Sequence, residues 1–153
     1  MKLFYSKLLT LTLSAAGFVF GFSQYSNGYI VANEGNFGTP NAEISYINEN
    51  NVLTNNVYAT ANGGAQLGDV LQHIYFHEDK AFLVVNNSNK ITVVNRSSFV
   101  KTSEITNHIN QPRYTTVANG KIYTTNASFS GNGMVVSVHD ATTYAFIKEI
   151  ELS

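Results

Sequence analysis

The chain repeats itself, and that repeat constrains its fold more than any single residue does. Three segments align: GYIVANEGNFGTPNAEISYINENNVLTNNVY at 28–58, AFLVVNNSNKITVVNRSSFVKTSEI at 81–105 and KIYTTNASFSGNGMVVSVHDATTYAFIKEI at 121–150. Each opens with a β-rich run that ends in asparagine, at Asn33, Asn86 and Asn126. A variable polar stretch follows. Next comes an alternating run closed by Asn48, Asn95 or Asp140, then a few turn residues and another short run: NNVY, SEI or KEI. Alternation of apolar and polar residues is the pattern of a half-buried strand, and no helix-period stretch of useful length competes with it in 24–153.

The second and third segments share a lead-in. HIYFHEDK, 73–80, matches RYTTVANG, 113–120, and both read as a strand, a two-residue turn and the next strand. Asn119-Gly120 is the strongest short hairpin signal, because both turn positions need positive φ. Asp79-Lys80 reads as a weaker version of the same turn. The units therefore run lead-in strand, asparagine-ended strand, alternating strand, outer strand, joined by short loops into an antiparallel meander. The intervals between the marker asparagines are 53 and 40 residues. Repeats of about 40 to 45 residues with four short strands each are the mark of β-propeller blades. The expectation is an all-β chain of about three four-stranded antiparallel blades, at about 28–58, 70–105 and 112–150, from a ring of seven.

The first 23 residues differ in character. Lys2 and Lys7 precede an uncharged apolar run from Leu8 to Phe22, with Gly21 and Ser23 placed at −3 and −1 of a cut before Gln24. That is the layout of a secretory signal peptide. An N-terminal anchor is the alternative, but a membrane span needs about 20 residues. Residues 1–23 are read as a signal peptide and 24–153 as a partial propeller. Loss of Lys2 and Lys7 leaves seven basic residues against ten acidic ones. With no basic stripe, nucleic acid is not an expected partner. The chain has no cysteine. This excludes disulfides, thiolate chemistry and the lipid-modified cysteine of a surface lipoprotein.

The strand ends IVAN, LVVN and YTTN, followed by YIN, VVN and VHD, resemble the YVTN or YncE-type β-propellers. ANEGNFG, LGDVLQ and VVNNSNKI are more similar still to secreted Bacteroidota propellers, some of them BtuG-like proteins that capture cobalamin and work with TonB-dependent receptors. The resemblance covers about 28–150. It implies a secreted protein, periplasmic or at the outer-membrane surface, that binds cobalamin or a related ligand. It further implies a TonB-dependent receptor as partner; no cofactor is expected. Only Gln24 to Asn27 precede the first asparagine-ended strand, too few for a lead-in strand. Seven blades need roughly 300 residues. The expectation is the N-terminal portion of a longer propeller; a three-blade unit that assembles with other copies is the alternative.

The residues offer little for catalysis. His73 and His77 are four apart, but Ile74, Tyr75 and Phe76 favour a strand, where the rings would lie roughly 13 Å apart. His108 and His139 have no second ligand nearby in sequence, so no metal site is expected. No Gly-x-Ser-x-Gly elbow is present, and no catalytic residue is assigned. Glu34 and Asp69 are the only plausible calcium carboxylates in loops.

Binding is the stronger expectation. In a four-strand meander, the loops after Asn33, Asn86 and Asn126 share an end with the connections between units, 60–69 and 106–113. That end gathers Glu34, Asn36, Phe37, Asn62, Gln66, Asp69, Asn87, Asn89, Gln111, Arg113, Phe129 and Asn132. Amides with aromatic platforms and one cation suit a large, neutral polar ligand such as a corrinoid, or a glycan bound by a surface scaffold. Asn33, Asn86 and Asn126 are read as structural, closing their loops by bonds to backbone. The stretch ANEGNFGTPN, 32–41, has phosphate-loop glycines at Gly35 and Gly38. They precede a strand, not a helix N-terminus, so it reads as a strand connection.

Overall fold

The computed structural model describes residues 25–127 and 134–152. The expected signal peptide at 1–23, Phe129 and Asn132 lie outside the described residues. Three antiparallel sheets follow one another along the chain. The first holds β1 (Gly28–Asn33), β2 (Glu43–Asn48) and β3 (Leu53–Thr54). A short helix α1 (Val57–Ala61) leads to the second, which holds β4 (Leu71–His77), β5 (Lys80–Val85), β6 (Lys90–Asn95) and β7 (Lys101–Ile105). The third holds β8 (Pro112–Ala118), β9 (Lys121–Asn126), β10 (Val135–Asp140) and β11 (Phe146–Glu151). In every sheet the spatial order is the sequence order. The expected meander, with its lead-in strand in the second and third units, is the observed topology.

The middle sheet is buried on both faces, which explains why AFLVV carries no polar residue. Strand side chains alternate between faces. Ala81, Leu83 and Val85 pack toward the first sheet, with Ile44, Tyr46, Tyr58 and Phe99. Phe82 and Val84 pack toward the third, with Ile105, Val117 and Ile122. β8 faces a neighbour on one side only, and its exposure alternates residue by residue from Thr115 to Ala118.

The recurrent Asn or Asp at the end of the alternating strand has a defined task. Asn95 Oδ1 accepts from the backbone N–H groups of Ser97 and Ser98, both at 3.1 Å. Asp140 Oδ1 accepts from Thr142 N at 2.9 Å and Thr143 N at 2.7 Å. Asn48 Oδ1 accepts from Asn50 N and Val52 N, both at 2.9 Å. A short side chain that bends back onto its own following backbone starts the turn. Those bonds also hold the Asp140 carboxyl below its usual range.

Two local expectations need correction. NNVY is not the outer strand of the first unit. That strand is Leu53–Thr54, and Val57 and Tyr58 enter the helix and the core. The cause is remote in sequence: Glu43, on β2, accepts from Tyr58 N at 2.8 Å and Ala59 N at 3.1 Å. Its carboxylate satisfies the free N–H groups of the first helical turn. Asn56, at φ 56°, turns the chain out of the strand direction. The second correction concerns the hairpin between β4 and β5. His77 already pairs with Lys80, so the turn residues are Glu78 and Asp79, one position earlier than expected. Asn119-Gly120 holds as read, with φ 49° and 69°.

Candidate functional site

Loop ends from all three sheets meet at one end of the molecule. Asp69 is the clamp. Its Oδ2 accepts from Gly38 N at 3.0 Å and from the Asn87 side-chain amide. Its backbone N–H donates to Ser88 Oγ at 2.9 Å, and its carbonyl accepts from Asn87 N at 3.1 Å. Asp69 is buried, so the carboxylate joins the first loop, the connection and the second loop from within. Asn89 performs the next join, with Oδ1 accepting from Gln111 N at 2.7 Å.

The marker asparagines sit one layer below. Asn86 donates to the Pro112 carbonyl at 3.0 Å. Asn126 donates to Thr124 O at 3.1 Å and Ser137 Oγ at 3.0 Å, and accepts from Asn110 N at 2.9 Å. Both thus bond backbone groups, but these belong to the connection at 106–113 and to β9 rather than to the loops that follow them. Asn33 instead donates to the Ser45 hydroxyl at 2.8 Å.

These joins frame a depression of about 280 Å³ lined by Glu34, Gly35, Phe37, Val70, Gln72, Asn86, Gln111 and Arg113. Four of the sequence-derived ligand candidates line it together: Glu34, Phe37, Gln111 and Arg113. Asp69, Asn87 and Asn89 stand behind it as supports. Asn36 and Gln66 are exposed outside it. Asn62 belongs elsewhere: it donates to Phe99 O at 3.0 Å and accepts from Lys101 N at 2.8 Å, tying the first connection to the turn before β7.

Sequence reasoning missed Val70 and Gln72, and their placement reveals a repeated device. Val70 and Gln111 precede the lead-in strands β4 and β8, and both have positive φ, 63° and 46°. For a β-branched residue such as Val70 this is a costly conformation. A bulge follows each: pairing shifts between Leu71 and His73 in β4, and between Pro112 and Thr115 in β8. Gln72 and Arg113 occupy the two bulges. Bulges re-aim side chains, and these two meet, Arg113 Nη1 donating to Gln72 Oε1 at 3.1 Å. In the structure the two are equivalent, each six residues before its hairpin turn at Glu78 or Asn119, whereas the sequence match pairs Arg113 with His73 and carries no signal for Gln72.

The histidines lie elsewhere. His73 packs edge-on to Tyr114 at 5.3 Å, and burial pushes its pKa down. His139 is fully buried and donates from Nε2 to the Asn107 carbonyl at 2.8 Å. Burial lowers its pKa; the Asn107 bond opposes this and the nearby His108 adds to it. His108 stacks on Phe146 at 3.5 Å and meets Glu149 at 2.8 Å. Among the described residues, no three His, Asp or Glu side chains converge as a metal site would require. A second hollow, about 700 Å³, lies at the opposite end of the sheets, between Tyr25–Ile30 and the turn residues Asp79 and Asn95–Ser97.

Residues 27–152 match the family described as Domain of unknown function (DUF5074). The match covers most of the chain, and the chain belongs to that family. No curated protein matches it.

Proposed function

We propose that this is a non-catalytic, secreted or cell-surface binding protein of β-propeller type, whose ligand enters at the loop end. The observation that carries this reading is the depression. It joins residues from all three units, it is framed by cross-loop bonds, and strained backbone is kept at its wall in Val70 and Gln111. Strain retained beside a concave polar surface supports a role there. The propeller reading is supported by three consecutive antiparallel meanders in register with the sequence repeat. In it, the sheets are three blades of a seven-bladed ring and the lead-in strands line its centre.

Resemblance to the YVTN and BtuG-like propellers supplies the first ligand to test, cobalamin or a related corrinoid captured for a TonB-dependent receptor. The depression would take one edge of so large a ligand, with Phe37 beside it as an exposed platform. Calorimetric titration of the purified protein with cobalamin and cobinamide tests this. Saturable heat that is lost in Phe37→Ala supports the reading. No heat with either compound removes the corrinoid assignment. The other reading, a surface scaffold for glycans or proteins, is favoured by the amides around the depression, and enrichment of polysaccharide rather than receptor in a pull-down would support it.

A further inference from the structure

The two bulges do more than shape a wall. Arg113 is half-buried, and among the described residues its one side-chain hydrogen bond is to the neutral oxygen of Gln72. Among the described residues, no carboxylate lies within ion-pair distance of it. A guanidinium presents five N–H donors in a planar fork matched to a carboxylate. One nitrogen is engaged here, so most of the fork is unused. Gln72 uses its oxygen on Arg113, which leaves its NH2 pointing donors from the same corner. Donors and uncompensated positive charge therefore coincide at a re-aimed, repeated position.

The rest of the lining asks for a different group. Among the described residues, Gln111 Oε1 is buried with no hydrogen-bond partner. A buried acceptor left bare is unfavourable, and a turn of the Gln111 amide into the depression would let a ligand hydroxyl relieve it. Glu34 is exposed at the rim, where solvent screens its charge, and it accepts from hydroxyls as well. Phe37, 80% exposed, offers an aromatic face beside them. The volume of about 280 Å³ is at the small end for ligand pockets, which run to roughly 300–1,000 Å³. It suits one ring.

We propose that the Arg113–Gln72 corner is a carboxylate subsite, and that the depression takes the acidic sugar residue of a saccharide. The carboxylate sits on the fork, a hydroxyl donates to Gln111 Oε1, and a ring face lies against Phe37. This rests on the loop-end depression being the ligand site, and not on the ligand being a corrinoid.

The test uses the full chain and tri-galacturonate, with the fully methyl-esterified trimer as a probe of the same shape without the charge. Calorimetry should give binding of the acid that weakens at least about tenfold in the ester and falls as salt is raised. Arg113→Met should abolish the difference between acid and ester. Gln72→Leu should weaken the acid and leave the ester unchanged, and a wild-type melting curve in each variant guards against a folding artefact. Equal affinity for acid and ester overturns the proposal. So does undiminished acid binding by a folded Arg113→Met, or failure of the acid to bind at all. If the trimer fails while cobalamin binds in a Phe37-dependent way, the subsite is wrong and the loop-end site stands. If the trimer binds and Arg113 governs it while both corrinoids give no heat, the corrinoid assignment is wrong and the subsite stands.

Discussion

Truncating Asn126 to alanine should damage the fold out of proportion to the atoms removed. The side chain is 3% exposed. It donates to Ser137 Oγ at 3.0 Å and Thr124 O at 3.1 Å, and accepts from Asn110 N at 2.9 Å. Alanine keeps none of these bonds. Ser137 is fully buried, so its hydroxyl loses a partner where water does not replace it. Asn110 N loses its acceptor in a part-buried loop. A buried polar group left unpaired costs about 1–3 kcal/mol; Asn110 N, near solvent, sits at the low end of about 1, so the two groups together make roughly 2–4 kcal/mol. At about 2–5 °C per kcal/mol for a chain of this size, the midpoint should fall by roughly 4–20 °C. Urea unfolding followed by circular dichroism measures it, with an unchanged slope expected. Asn36→Ala, at an exposed position outside the depression, is the control and should stay within about 0.5 kcal/mol. A double-mutant cycle with Ser137→Ala isolates the pair and should return about 0.5–3 kcal/mol of coupling. A loss below about 0.5 kcal/mol in Asn126→Ala, or no coupling, would refute the claim that Asn126 ties its strand end to Ser137 and to the connection at 106–113.

Three further outcomes follow from the geometry. Gly68 has φ +138°, and an added Cβ would meet Ser88 Oγ at 2.7 Å and Val85 Cγ1 at 2.9 Å; Gly68→Ala should cost about 1–3 kcal/mol by thermal melting, whereas Gly64→Ala, with open space around it, should cost less. Stability should fall with acidification through the ordinary histidine value of 6.5, because unfolded His139 takes up a proton that the buried, folded ring resists. Above that value the stability is fully present, and His139→Gln should flatten the curve between about pH 7 and 5. Asn95→Ala should lose about 1 kcal/mol in urea titration, since its oxygen holds the backbone of Ser97 and Ser98.

The sheets were legible because their cause is local and repeated. Alternation and the closing Asn or Asp are written into each unit, and YTTVANGKIYTT announces its hairpin through a turn that needs two left-handed residues. The outer strand of the first unit was not legible. Val57 and Tyr58 have strand character, and what makes them helical is Glu43, which reaches them from another strand. The site divides in the same way. Glu34, Phe37, Gln111 and Arg113 were found because loop ends can be placed by topology. Asp69 looked like a ligand because it is a loop carboxylate, yet its partners, Gly38 and Asn87, come from two other loops. Gln72 was invisible because a bulge changes which way a strand residue points, and nothing in LQHIYFH marks the bulge.

The central claim is that ligand enters at the loop end. Amide chemical shifts of the labelled protein, recorded while cobalamin and tri-galacturonate are each added, test it most directly. The account predicts shifts for at least one of them clustered at Gly35, Phe37, Val70, Gln72, Gln111 and Arg113. Shifts confined to Tyr25–Ile30 and Asn95–Ser97, at the opposite end, would contradict it, as would no shift with either compound.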